Sequence, residues 1–385
     1  MRKILLLFFI AAIYTSGFSQ IKEFTIIVKD IDTDTPVDEV TITALKTRQG
    51  FLTNAEGVAK INLSKDSDLE LVHTSYKPLV VRYSTIKKEN VIYLESNLRL
   101  LDEVVLTQNH PQEILKNLME NSAKHVTVPA NLKVYLREFY KKDDAYVFFN
   151  DGLVNFQLLG SPKNIKTDIL IEQNRSVGFF DNDLDIDVLG YNLNNIMENY
   201  YQFKYLNEVL SKRALKEYDF QVKTYPQNED YLAIKISPYE EVKGVLSNFY
   251  IIYDSKKKLI VEINSTIPSS RMIYMEGSFL NRSNIYMLEY KNTFRIDGSL
   301  YYLTNSKEVI GFEKKYKGEK KRIEVKNYMV VTNFDTKLFG YSKDNIFTDK
   351  SLINKRSMVF TPYWEFESGL TPTVEEKKII TMLAE

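Results

Sequence analysis

From Phe24 onward apolar and polar residues alternate. Phe24, Ile26 and Val28 are separated by Thr25, Ile27 and Lys29, and Val40, Ile42 and Ala44 by Thr41 and Thr43. Ala59, Ile61 and Leu63 repeat the pattern, as do Leu69, Leu71 and His73, then Leu79, Val81 and Tyr83, then Ile92 and Leu94. A strand side chain changes face at every residue, so a period of two offers one face to a core. Between these runs lie the polar, Pro-ended stretch Asp30–Pro36 and the turn Asn54-Ala55-Glu56-Gly57. Short strands at regular spacing predict a small β-sandwich over residues 20–98.

The period then changes. Leu101-Asp102-Glu103-Val104-Val105-Leu106 reads as one more strand or an ordered linker. Pro111–His125 reads as a helix: Pro111 suits a first helical position, and Ile114, Leu115, Leu118 and Met119 share a face. Residues 99–130 are thus a linker strand and a helix. From Val134 strand patterns return. Asn150-Asp151-Gly152 between Tyr146–Phe149 and Leu153–Leu158 predicts a hairpin turn. A helical zone spans Leu193–Leu215. Hairpins follow, with Leu232/Ile234/Ile236, Phe249/Ile251/Tyr253, Leu259/Val261/Ile263, the Asp297-Gly298 turn and Ile323/Val325. Thr373 before Glu375 and Glu376 predicts a capped helix over Thr371–Leu383. Residues 131–385 therefore read as a larger antiparallel β-rich domain with a few helices. The fold class is mainly β, α+β overall.

Composition adds an address. Arg2 and Lys3 precede the uncharged apolar run Ile4–Ala12, and small residues follow at Ser16-Gly17-Phe18-Ser19. This is the layout of a signal peptide over residues 1–19. The run is shorter than the ~20 residues that span a bilayer, and with no cysteine there is no thiol to acylate. An exported protein, periplasmic or associated with the outer membrane, is expected. Lys+Arg and Asp+Glu are both 51, and loss of Arg2 and Lys3 leaves 49 basic residues against 51 acidic. That balance argues against nucleic acid, which needs a basic excess or face. The 26 Tyr and 22 Phe suit half-buried pleated surfaces.

The order Thr35-Pro36-Val37-Asp38-Glu39-Val40-Thr41-Ile42, then Thr53-Asn54-Ala55-Glu56-Gly57-Val58, then Leu69-Glu70-Leu71-Val72-His73-Thr74-Ser75-Tyr76 is similar to the carboxypeptidase-regulatory-like domain. The family's glycine before the tyrosine is missing here. The resemblance covers about a fifth of the chain and implies a transthyretin-like sandwich acting as an accessory module, with no peptidase activity. Leu101–Leu106 is similar to the strand that often follows this domain in Bacteroidetes outer-membrane proteins, which implies contact with an energy-transducing partner. The C-terminal strand–turn–strand run, with Ile296-Asp297-Gly298-Ser299, resembles the half-barrel of periplasmic lipoprotein carriers. The whole plan resembles an uncharacterised family of flavobacterial envelope proteins.

Chemistry is sparse. Three histidines, His73, His110 and His125, form no zinc-binding spacing. Asp181-Asn182-Asp183-Leu184-Asp185-Ile186-Asp187 offers alternating carboxylates but has Ile186 and Asn192 where an EF-hand loop needs Gly and Glu, so it reads as an acidic surface loop. There is no nucleophile elbow and no phosphate loop. A pair of acids for glycoside hydrolysis leaves no sequence trace. Lys314–Arg322 is a basic run, read as a solvated hairpin end ahead of a lipid-headgroup contact. No catalytic, cofactor-binding or metal residue is assigned, and no cofactor is expected. The expectation is a non-catalytic envelope protein that acts through its N-terminal sandwich on other envelope or outer-membrane proteins. The alternatives are a carrier for an apolar ligand or lipid in the aromatic β-domain, and a glycan- or peptide-acting hydrolase.

Overall fold

The computed structural model describes residues 22–96, 103–179, 192–226, 228–267, 271, 283–316, 319–355 and 368–385. The signal-like residues 1–19 and the Asp181–Asp187 run lie outside the described residues, as do Leu101 and Asp102. The chain is mostly β, with large antiparallel sheets. None of the described helices is long and apolar enough to cross a membrane.

The N-terminal alternation forms seven strands: β1 Lys22–Asp30, β2 Thr41–Ala44, β3 Gly50–Leu52, β4 Val58–Leu63, β5 Leu69–Val72, β6 Leu79–Val81 and β7 Glu89–Leu94. They make a three-stranded sheet, β4-β1-β7, and a four-stranded sheet, β3-β2-β5-β6. One core joins them, with Ile26 and Val28 of β1, Ile42 of β2, Ile61 of β4 and Leu71 of β5 fully buried. The Asn54–Gly57 turn forms as predicted. Gly57 has φ 71°, and a Cβ there would lie 2.5 Å from the Val28 carbonyl oxygen, so the turn requires glycine.

The remaining strands are β8 Ala130–Lys142, β9 Ala145–Ser161, β10 Asn164–Gly178, β11 Tyr218–Thr224, β12 Tyr231–Pro238, β13 Asn248–Asp254, β14 Leu259–Thr266, β15 Ser283–Asp297, β16 Leu300–Tyr316 and β17 Glu319–Asp335. They form one ten-stranded antiparallel sheet in the order β10-β9-β8-β17-β16-β15-β14-β13-β12-β11. Two meanders, β8–β10 and β11–β17, are joined where β17 pairs with β8.

Alternation gives this sheet two buried faces. Leu132, Val134 and Leu136 of β8 face the helices: α1 Pro111–His125, α2 Ile196–Tyr201, α3 Asn207–Leu210 and α4 Ala214–Glu217. Leu115, Leu118, Tyr200, Tyr201, Phe203 and Leu206 fill that face. The intervening Tyr135 faces the other way and packs with Leu52 of β3. The N-terminal unit therefore sits on the face opposite the helices. The C-terminal helix α5, Val374–Ala384, packs against Phe139 and Phe149.

One expectation changes, and two gain detail. Asn150-Asp151-Gly152 is not a turn: β9 runs straight through it, paired with β8 on one side and β10 on the other. Ladders on both edges override a local turn preference. The turn lies at Asp143-Asp144, both with positive φ, the geometry of a two-residue hairpin. The Leu193–Leu215 zone is three short helices and a 3-10 turn. Val104 makes an antiparallel bridge to Lys223, and the Val105 N–H donates to Val222 O, so residues 103–105 run along β11 at the sheet edge.

Candidate ligand cavity at the junction

Where the N-terminal unit meets the large sheet, the sheet face is cationic. Lys291 and Arg295 project from β15 and Lys307 from β16. Glu39, in the β1–β2 loop, accepts from Lys291 and Lys307, each at 3.0 Å. Glu70 on β5 pairs with Arg295 at 2.6 Å, and Arg48 with Asp297 at 2.9 Å. Burial alone would raise the Glu39 carboxyl, but Lys291 and Lys307 outweigh it and hold the group down at about 2.

Beside this seam lies a cavity of about 310 Å³. The N-terminal unit contributes Glu70, Val72, His73 and Thr74. The sheet contributes Tyr225, Ile252, Val261, Glu262, Phe294, Arg295 and Ile296. Its position follows from two local features. The first is the tight turn after β5, where the Ser75 N–H donates to His73 Nδ1 at 3.0 Å and the His73 ring tilts against Tyr76. The second is a bulge in β14. Ile252 pairs with Glu262 but Tyr253 pairs with Ile260, so Val261 is an extra residue. Without the bulge, Val261 and Glu262 would face opposite ways. With it both line the cavity, while Ile260 and Ile263 go to the helix-side core.

The polar groups are held in defined states. Burial pushes the His73 imidazole down to about 4, with nearby Lys291 adding to the effect, so the ring is neutral at pH 7. Its Nδ1 accepts a hydrogen bond, which assigns the proton to Nε2. Burial also raises the Glu262 carboxyl above the ordinary range, against the pull of Lys291, and Asn264 donates to it. The Tyr225 hydroxyl is raised chiefly by burial and stays a neutral donor. Two buried polar atoms in the lining, the Tyr225 hydroxyl and Arg295 Nε, make no well-formed hydrogen bond, although Thr74 approaches the Tyr225 oxygen.

Of the three histidines weighed from sequence, His73 alone lines this cavity. His110 caps α1, accepting from the Gln112 N–H at 3.1 Å. His125 contacts Asn121 O at 2.9 Å within the last turn of α1. The basic run Lys314–Arg322 lies at the β16–β17 hairpin end, where Lys321 pairs with Glu319 at 2.7 Å. Among the described residues no cluster of His, Asp and Glu is placed to hold a metal. Sequence reasoning missed Tyr225, Glu262 and Arg295. It assigned Leu259, Val261 and Ile263 to one face, and the bulge reassigns Val261. The one local signal was the lone acid Glu262 inside an apolar strand.

No protein-family model matches the chain, and no curated protein matches it. Several solved structures align in part. Lipovitellin, in a structure of lipid–protein interactions, aligns over 61% of this chain at 9% identity with a TM-score of 0.27, and the alignment spans only 29% of lipovitellin. A LolA superfamily protein from Nitrosomonas europaea aligns over 61% of this chain and 97% of its own, at 10% identity and a TM-score of 0.20. MucB in complex with MucA(peri) aligns over 59% and 98%, at 7% identity and a TM-score of 0.19. Scores this low assign neither a common fold nor a common ligand.

Proposed function

We propose that this chain is a non-catalytic binding protein of the cell envelope, and that the junction cavity is its ligand site. The observation that carries this reading is that both parts of the chain wall one cavity containing buried polar atoms that make no well-formed hydrogen bond. Ligand sites favour such junctions and combine apolar walls with a few convergent polar groups. The interior of the aromatic meander, the other place for an apolar ligand, is occupied over the core by the side chains of α1 to α4. The cavity on the opposite face offers the free volume instead. We assign strands β1–β7 to a transthyretin-like sandwich of the carboxypeptidase-regulatory-like kind. The two small sheets around one core and the Thr35–Ile42 and Thr53–Val58 motifs support that assignment. Export rests on the residue 1–19 pattern.

The test is native mass spectrometry of the protein purified from its own envelope, beside a Val72→Trp variant that fills the cavity. A stoichiometric small molecule on the wild type, absent from the variant, supports the reading. An equal load on both would remove the cavity from consideration.

A protein partner is the second reading, favoured by β7. It is an edge strand, and its Val91 and Tyr93 are 52% and 45% exposed. An exposed edge with apolar side chains accepts an added strand. Val91→Lys with Tyr93→Lys should abolish partner capture from membranes, and undiminished capture would reject this surface.

A further inference from the structure

We infer that the cavity takes an uncharged, largely apolar small molecule that bears a hydrogen-bond-accepting oxygen, such as a ketone, ester or amide. This rests on reading the cavity as a ligand site, and it names the ligand's chemistry.

The cavity lining holds unused hydrogen-bonding capacity. The acceptors in the lining are engaged: Glu70 holds Arg295 at 2.6 Å, and Glu262 accepts from Asn264 and faces Lys291 at 3.7 Å. The groups left over donate. Arg295 Nε is a donor only and the Tyr225 hydroxyl donates; beside them His73 carries its proton on Nε2, because its Nδ1 accepts. Tyr225 is 7% exposed and Thr74 lies against its oxygen as a donor, so an acceptor for its own proton must come from within the cavity. Leaving such a group unsatisfied costs about 1–3 kcal/mol, which an accepting oxygen would recover.

Charge narrows the choice. The Arg295 cation is already matched by Glu70, and the Glu262 carboxyl lines the same space. An anion would meet two carboxyl groups with no free cation. An ammonium would meet the Arg295 cation and the donors, with both carboxyl groups already engaged. A neutral acceptor meets neither cost. The walls Ile252, Val261, Phe294 and Ile296 require an apolar body. A cavity of about 150 Å³ accommodates benzene, so the volume of about 310 Å³ here suits a two-ring skeleton.

The test uses four probes of one shape on the full mature chain: 2-acetylnaphthalene, 2-ethylnaphthalene, 2-naphthoate and 1-(2-naphthyl)ethylammonium, measured by calorimetry. The ketone is expected to bind at least tenfold tighter than the other three. Tyr225→Phe is expected to weaken the ketone about five- to tenfold, the span of one hydrogen bond, and to leave the hydrocarbon unchanged. The melting temperature of the variant is read beside its affinity, since Thr74 lies against this hydroxyl, and lost binding at a folded chain separates the ligand contact from lost fold. Val72→Trp locates the binding by abolishing it. A hydrocarbon or a charged probe that binds as tightly as the ketone, or an ineffective Tyr225→Phe, overturns the ligand chemistry while the ligand-site reading stands. If all four probes fail to bind, the ligand-site reading falls and this inference with it.

Discussion

Arg137 is 2% exposed, an extreme burial for a cation. Its guanidinium donates to Tyr135 Oη at 3.0 Å, Leu370 O at 2.5 Å and Glu376 Oε2 at 3.2 Å, tying β8 to the C-terminal helix. Removing one partner of a buried ion pair costs about 3–5 kcal/mol. Arg137→Met should therefore lower the urea midpoint by that equivalent without changing the slope. Arg137→Lys should lie between, since lysine keeps the charge but loses the fork. Glu308 makes the opposite case. Burial pushes its carboxyl up to about 7, although Tyr200 and Tyr205 donate to it. It lies in a polar row that crosses the helix-side face in register: Tyr290, Glu308, Asn327, Glu138, Asn150. A carboxyl raised in the fold stays protonated after the unfolded chain has ionised. Its contribution is favourable at pH 4.5 and is lost as pH rises through about 7. Glu308→Gln should thus gain on the wild type across that window, by up to roughly 3 kcal/mol at pH 8. Urea midpoints at pH 5 and pH 8 check it, and a constant difference between the two proteins would refute it.

At the scale of elements, the helix ends follow their local chemistry. The C-terminal helix has a full capping box. Thr373 Oγ1 accepts from the Glu376 N–H at 3.0 Å, and Glu376 Oε2 accepts from the Thr373 N–H at 2.9 Å. Thr373→Ala should cost about 1 kcal/mol and raise hydrogen exchange in the first turn of this helix before the rest of the chain. No change there would show that packing on Phe139 and Phe149 alone orders it. This helix and Pro111–His125 were both legible because caps and a 3.6-residue period are local signals. The Asp151-Gly152 turn misled for a non-local reason. Gly152 sits where a Cβ would lie 2.8 Å from Leu352 Cδ1, and Asp151 holds Arg175 through two hydrogen bonds. Both residues serve contacts made by distant segments, which no turn statistic can register.

For the whole molecule, the junction between the N-terminal unit and the large sheet is electrostatic as well as apolar. Glu39 is the acid held low by two lysines, so the sign is that of a depressed carboxylate. Its contribution is present above pH 4.5 and is lost as pH falls toward about 2. The shift corresponds to roughly 3 kcal/mol. Glu39→Gln should forfeit it at neutral pH and loosen the junction, so that calorimetry shows two unfolding transitions where the wild type shows one. Acid titration of the wild type should reproduce the split between pH 4 and pH 2. A single transition in the variant would mean that Leu52 packing on Tyr135, Leu153 and Val330 suffices to couple the parts.

Sequence by itself determined the strands whose two-residue period is undisturbed, such as those from Phe24 to Leu94 and those around Leu232–Ile236 and Ile323–Val325, and with them the β-rich class. Alternation is a property of neighbours in the chain, so it can be read without knowing the partner strand. It also showed that the candidate chemistry is thin. Tertiary structure alone decided which strands pair to close β17 on β8, which face of the sheet receives the N-terminal unit, and where a bulge turns Val261 and Glu262 together into one cavity. Those outcomes depend on the pairing register within a hairpin and on docking between segments far apart in the chain. Tyr225, His73 and Arg295 are therefore unremarkable in the sequence, and become a site only when the two parts of the chain meet.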